Sequence, residues 1–68
     1  MAFEVIKAAD SIHDEDEVYA ITSSLHEAKR SAKVLIKDGW ETYITDSDSN
    51  AEWEWNEAEQ SWEQVVSS

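Results

Sequence analysis

Residues 24–39 have the sequence SLHEAKRSAKVLIKDG, and they predict the single helix of this chain. Ser24 suits the N-cap position, and Glu27 three residues later completes a capping box. Gly39, the only glycine of the chain, follows where a helix commonly ends in a left-handed residue. Apolar side chains recur between these ends at three- and four-residue steps. They are Leu25, Ala28, Ala32, Leu35 and Ile36.

Segments with the alternation of β-strands flank this helix. They are residues 2–8 and 18–22 before it, and residues 40–45, 51–55 and 61–66 after it. The alternation is cleanest in residues 51–55, where Trp53 and Trp55 fall on one face and Glu52 and Glu54 on the other. The order ββαβββ predicts an α+β fold in which one helix packs on one face of an antiparallel sheet. We expect the first two strands to form a hairpin, whereas the pattern leaves the order of strands in the sheet open.

The length of 68 residues predicts one domain, which we place at residues 1–66 and follow with a disordered tail at 67–68. Four tryptophans and several β-branched residues favour a folded chain over a disordered one. The helix offers small alanines on its apolar stripe, so large indoles on the sheet are expected to fill the space beside them. We therefore expect Trp53 and Trp55 in the core.

Charge is distributed unevenly along the chain, which has a net charge of −11. Residues 24–38 carry four basic residues against two acidic ones, so the helix is mildly positive. The rest of the chain holds fourteen acidic residues against Lys7 alone. A strongly negative surface repels anionic lipid and phosphate, so we expect no direct binding of nucleic acid or membranes. The apolar runs are too short for a transmembrane segment or a signal peptide, which favours a cytoplasmic location.

The sequence carries no pattern typical of a catalytic or cofactor site. One glycine cannot build a phosphate-binding loop, and His13 and His26 without any cysteine cannot form a zinc site. Residues 46–57 match part of the spacing of a calcium-binding loop, but Ala51 stands where that loop needs glycine. A turn followed by a strand fits this segment better. We therefore predict a protein that is not an enzyme, with no cofactor and no bound metal.

The acidic residues outside the helix are the candidate binding residues, because opposite charge attracts a basic surface of a partner protein. Most of them lie in the 14–17 loop and in the region from residue 46 to residue 63. The candidates are Asp14, Glu15, Asp16, Glu17, Asp46, Asp48, Glu52, Glu54, Glu57, Glu59 and Glu63.

In size and charge the chain resembles the small DNA-mimic inhibitors that phages and mobile elements use against nucleic-acid-binding enzymes. The resemblance implies a partner whose basic surface binds nucleic acid. Residues on one face of a strand lie about 6.8 Å apart, whereas each DNA strand carries a charge every ~3.4 Å. A mimic therefore needs acids from several segments side by side. The alternative is an acidic adaptor or structural module without this role, and either protein is expected to be a monomer or a weak dimer.

Overall fold

The computed structural model describes residues 2–9 and 14–65, and over these ranges it contains one helix and five strands. Their order is β1 (Phe3–Lys7), β2 (Glu17–Thr22), α1 (Leu25–Lys37), β3 (Thr42–Asp46), β4 (Glu52–Asn56) and β5 (Ser61–Val65). The predicted ββαβββ order and α+β class are confirmed. The proposed tail at 67–68 and the last residue of the predicted fifth strand lie outside the described residues, as do residues 10–13.

The five strands form one antiparallel sheet in the order β2-β1-β3-β4-β5. The predicted hairpin of β1 and β2 is confirmed. The chain then passes through α1 and returns beside β1 as β3, so β1 and β3 are neighbouring interior strands of the sheet. Strands β2 and β5 are the two edges of the sheet.

Both predicted ends of the helix are confirmed. The Glu27 N–H donates to Ser24 Oγ at 3.2 Å, as expected of an N-cap serine. Gly39 has a φ of +91°, and its N–H donates to the Ile36 carbonyl at 3.0 Å. The Trp40 N–H donates to the Leu35 carbonyl at 3.0 Å, which completes a Schellman motif. Because this cap uses the Trp40 N–H, β3 begins two residues later than predicted.

The buried core lies between the small residues of α1 and the central pair of strands. Its members are Val5, Ala28, Ala32, Leu35 and Ile44. Val5 and Ile44 are direct cross-strand neighbours on β1 and β3, and both are fully buried. The alanines allow the helix to approach these branched side chains closely, as a densely packed interior requires.

Trp53 and Trp55 are only partly buried, so the expectation that both lie in the core needs correction. The helix backbone lies over β1, β2 and β3 and does not extend over β4, which carries these indoles. Trp53 packs at the margin of the core, with its ring centroid 5.8 Å from that of Phe3. Trp55 instead packs edge-on against Trp62, with centroids 5.4 Å apart.

The only helix in the described part of the chain, α1, has thirteen residues. Neither its length nor its composition would let it cross a membrane.

Candidate partner-binding face

The strand register divides the side chains of the sheet between a face covered by α1 and a face opposite to it. Val5, Ile44 and Trp53 are cross-strand neighbours on the helix-covered side. No helix or second sheet packs on the opposite side over residues 2–9 and 14–65. We call that side the open face. By register it comprises Glu4, Ile6, Val18, Ile21, Tyr43, Thr45, Glu52, Glu54, Asn56, Ser61, Glu63 and Val65.

One half of the open face is acidic and lies on β4 and β5. Glu54 is directly opposite Glu63 on the neighbouring strand, and Glu52 follows two residues away on the same face. Adjacent strands are about 4.8 Å apart, so these carboxylates form a compact group. Glu54 and Glu63 are exposed, and Asn56 Nδ2 donates to Glu63 Oε1 at 2.9 Å. The register thus brings together three of the predicted binding residues.

The other half of the open face is apolar and lies on β2, β1 and β3. Ile6 is the direct neighbour of both Val18 and Tyr43, and Ile21 faces Glu4 one pair further along. Ile21 is 65% exposed and Val18 is 52% exposed, which is unusual for large aliphatic side chains. Sequence reasoning did not propose this apolar half, nor Glu4. Only the strand order brings these residues beside the acidic half.

The basic residues lie on the other side of the sheet. Four are on α1, and Lys7 is on the helix-covered side of β1, where its Nζ lies 3.6 Å from the centroid of the Trp40 ring. Lys33 of α1 places its Nζ 5.7 Å from the Trp55 ring. Among the described residues of the strands, every charged side chain of the open face is therefore a glutamate. The basic residues are thus confined to the helix-covered side, whereas acidic residues occur on both sides.

Asp16 ties the segment before β2 to the open face. Tyr43 Oη donates to Asp16 Oδ2 at 2.7 Å, and the Ala9 N–H donates to Asp16 Oδ1 at 2.8 Å. These two hydrogen bonds, with that of Tyr43 the stronger cause, lower the pKa of Asp16. Burial, the bond to Asp16, and the charges of Asp16 and Glu52 raise the pKa of Tyr43 to about 12. Asp16 thus forms a hydrogen bond with Tyr43 within the chain, and Glu52 is close enough to raise the pKa of Tyr43.

We expect the Tyr43 hydroxyl to titrate near pH 12 in the folded protein. A Tyr19→Phe background leaves Tyr43 as the only tyrosine, so tyrosinate absorbance reports it alone. Adding Asp16→Asn should lower the pKa of Tyr43, because the carboxylate that opposes ionisation is gone. Because folding raises this pKa, the protonated Tyr43 hydroxyl makes its full contribution to the stability of the fold below pH 10. This contribution is lost as the pH rises through about 12. An unchanged pKa in the Asp16→Asn variant would contradict the contact.

The predicted residue Asp46 ends β3, and Asp48 lies in the turn that follows. Asp46 is on the helix-covered side and only 4% exposed. Its carboxylate accepts hydrogen bonds from the Asp48 N–H and from Ser49 Oγ, both at 2.9 Å, and these bonds lower its pKa. The segment therefore forms a turn between two strands, as the favoured interpretation expected. Within the described ranges, no group of three or more histidine, cysteine or acidic residues is arranged to hold a metal ion.

The remaining predicted residues gather at the end of the sheet that carries Trp40. A cleft of about 450 Å³ there is lined in part by Trp40 and Trp55 and by acids that include Glu54 and Glu57. A second cleft of about 370 Å³ is lined by residues 14–17 together with Lys7 and Trp40. Glu59 lies in the turn after β4, where its N–H donates to Asn56 Oδ1 at 3.1 Å. Glu54 belongs to both the first cleft and the open face.

The chain matches no protein-family model, and comparisons with curated proteins and with solved structures find no similar protein.

Proposed function

We propose that this chain is a small, non-enzymatic protein that binds a basic surface of a partner protein through its open face. The observation that carries this proposal is the group formed by Glu52, Glu54 and Glu63, on a face without basic side chains among its described strand residues. Like charges held side by side repel one another, and a partner's lysines and arginines relieve that repulsion. The same potential raises the rate at which such a partner is encountered.

The finer proposal is that the basic surface normally binds nucleic acid, so that the chain acts as a DNA-mimic inhibitor of viral or mobile-element type. Its support is the spacing of charge over two adjacent strands. Glu52 and Glu54 are separated by about 6.8 Å along β4, and Glu63 adds a charge about 4.8 Å away on β5. Together the three carboxylates give a higher density of charge than a single β-strand provides. This density is closer to that of a DNA strand. We further propose that this complex forms in the cytoplasm.

The apolar half of the open face favours the alternative function, that of an acidic adaptor whose partner does not bind nucleic acid. Val18 and Ile21, with the half-buried Tyr43, offer an apolar surface beside the acids, whereas Ile6 between them is buried. This surface has no equivalent in a phosphate backbone. Protein interfaces combine an apolar centre with a polar rim in this way. Both proposals use the same face and differ in what the partner normally binds.

Neutralising the acidic half of the open face is expected to weaken partner capture at least tenfold, or about 1.4 kcal/mol. The variant carries Glu52→Gln, Glu54→Gln and Glu63→Gln. The chain is immobilised at low salt, captured proteins are identified by mass spectrometry, and their affinities are measured for both variants. Binding should also weaken as salt is added, because the attraction is screened.

The matched control carries Glu27→Gln, Asp38→Asn and Asp48→Asn, which remove the same number of charges from exposed positions outside the strands that form the open face. This control should retain the partner. Equal loss in both variants would assign capture to net charge and contradict the proposed face. Competition by duplex DNA distinguishes the two functions, because only a nucleic-acid-binding partner is displaced by it.

A further inference from the structure

The cleft of about 450 Å³ opens where β3 and β4 cease to pair with each other. Their last cross-strand pair at this end of the sheet is Tyr43 with Glu54, and both residues line the cleft. Beyond this pair, β3 stays paired with β1 as far as Thr42, and β4 stays paired with β5 as far as Asn56. The two strands therefore separate while each keeps its other neighbour. We call the gap between them the strand-end cleft.

All the charged side chains that line the strand-end cleft, among the described residues, are acidic. They are Glu41, Glu54 and Glu57, and each is exposed. Within residues 2–9 and 14–65, none of the three carboxylates has a hydrogen-bond or ion-pair partner. A cleft lined by one sign of charge focuses the electrostatic field and concentrates ions of opposite sign. The lining of the strand-end cleft thus favours a cation.

Two indole rings, those of Trp40 and Trp55, form part of the walls of the strand-end cleft. Each ring already has an ammonium group of the chain near it. Lys7 Nζ lies 3.6 Å from the centroid of the Trp40 ring, and Lys33 Nζ lies 5.7 Å from that of Trp55. Neither lysine lines the strand-end cleft, and Lys7 lines the second cleft, which shares Trp40 with it. Because aromatic rings attract cations, these walls suit a further cation that comes from another molecule.

We propose that the strand-end cleft binds the guanidinium group of an arginine on the basic surface of the partner protein. The source of this arginine rests on the proposed function, whereas the chemistry of the cleft does not. A guanidinium group is planar, so it stacks on an indole, and its N–H donors bond carboxylates in pairs. The ammonium group of lysine is a compact point charge without this planar fork. Two indole rings together with three carboxylates therefore favour arginine.

Glu54 connects the strand-end cleft with the acidic half of the open face. It lines the cleft, and on the open face it lies directly opposite Glu63. A partner that covers the open face can therefore place one arginine in the cleft at the end of the same surface. Arginine side chains that fill pockets are among the residues that contribute most to the affinity of interfaces. Glu41 and Glu57 would then add to an interface that the strands alone do not include.

The test is an NMR titration of the full chain with N-acetylargininamide. The probe is added up to about 10 mM, which is tenfold above a dissociation constant of about 1 mM. The indole N–H signals of Trp40 and Trp55 should shift, whereas that of Trp53, which does not line the cleft, should stay in place. N-acetylcitrullinamide has nearly the same shape without the charge and should not bind. N-acetyllysinamide should bind at least about threefold more weakly than the arginine probe.

Removing two of the lining carboxylates should weaken binding of the arginine probe. The variant carries Glu41→Gln and Glu57→Gln, and its dissociation constant should rise at least about fivefold. The matched control carries Glu59→Gln and Glu63→Gln, which remove two exposed carboxylates that do not line the strand-end cleft. In this control the dissociation constant should change less than about twofold. Circular dichroism verifies that both variants are folded.

Three outcomes would overturn the proposal. The first is the absence of any shift at the highest concentration of the arginine probe. The second is equal binding of the citrulline probe, which would show that the charge is not recognised. The third is an equal loss of affinity in the two double variants, which would assign binding to net charge.

Partner capture separates this proposal from the proposed function. If the chain captures a partner through Glu52, Glu54 and Glu63 but does not bind the arginine probe, the proposed function holds and the arginine site is refuted. If the chain binds the arginine probe in the strand-end cleft but captures no partner, the site holds and the proposed function is refuted.

Discussion

Replacing Ile44 with alanine is expected to destabilise the fold by about 2–5 kcal/mol. Ile44 is fully buried at the centre of β3, between Val5 on β1 and Trp53 on β4, with α1 above it. Alanine would lose the transfer free energy of the removed methyl and methylene groups and leave a cavity among these neighbours. Domains have a stability of roughly 0.05–0.15 kcal/mol per residue, so this loss is a large share of the total for so short a chain. Urea denaturation followed by circular dichroism measures it.

Ile21→Ala is the matched control, because it removes the same atoms from a side chain that is 65% exposed. Its effect should lie within about 0.5 kcal/mol of zero. Equal losses in the two variants would contradict the placement of Ile44 at the centre of the core. A loss confined to Ile44→Ala would support it.

The features that could be predicted from the sequence are those that depend on neighbours along the chain. Ser24 and Gly39 mark the ends of α1 because capping uses bonds over three to five residues. The faces of β4 follow from its alternation of glutamate and tryptophan, so the common orientation of Glu52 and Glu54 was predictable as well. These local signals agree with one another, and they were sufficient for the α+β class and the order of elements.

The pairing of distant segments could not be predicted in the same way. The placement of β3 beside β1 makes Val5 and Ile44 the central pair and leaves the indoles of β4 at the margin. No periodicity in either strand specifies that neighbour. The hydrogen bond from Tyr43 to Asp16 joins residues 27 positions apart, and it gives a predicted binding residue a structural role.

Some features of the candidate face also follow from alternation along one strand, whereas others depend on which strands pair. Strand alternation indicated that Glu52 and Glu54 point the same way, but only the register of β5 sets Glu63 beside them. Glu4 and Ile6 share a face by alternation on β1, yet their neighbours depend on the strand order. The acidic and apolar halves of the open face are therefore a consequence of topology, and the charge pattern alone could not reveal the apolar half.

Replacing Trp53 with alanine is expected to cost about 3 kcal/mol, at the low end of the range for buried tryptophans because this side chain is only partly buried. The helix backbone does not extend over β4 and β5, so the packing of this hairpin against the core depends on side chains, which include Trp53 of β4 and Trp62 of β5. Trp53 packs against both Phe3 and the buried cluster. Its loss should therefore loosen the hairpin that carries the acidic half of the open face.

Hydrogen exchange distinguishes this local effect from general destabilisation. Amides of β4 and β5 should lose more protection in the Trp53→Ala variant than amides of β1 and β3, because the central strands keep their contacts with α1. Trp55→Ala is the control, since it removes the same side chain from the same face of β4, where the main aromatic contact is with Trp62. A greater loss of stability in this control would mean that the tryptophan pair, and not the contact of Trp53 with the core, holds the hairpin in place. The open face would then depend on the contact between Trp55 and Trp62, and on the packing of Trp62 against the core.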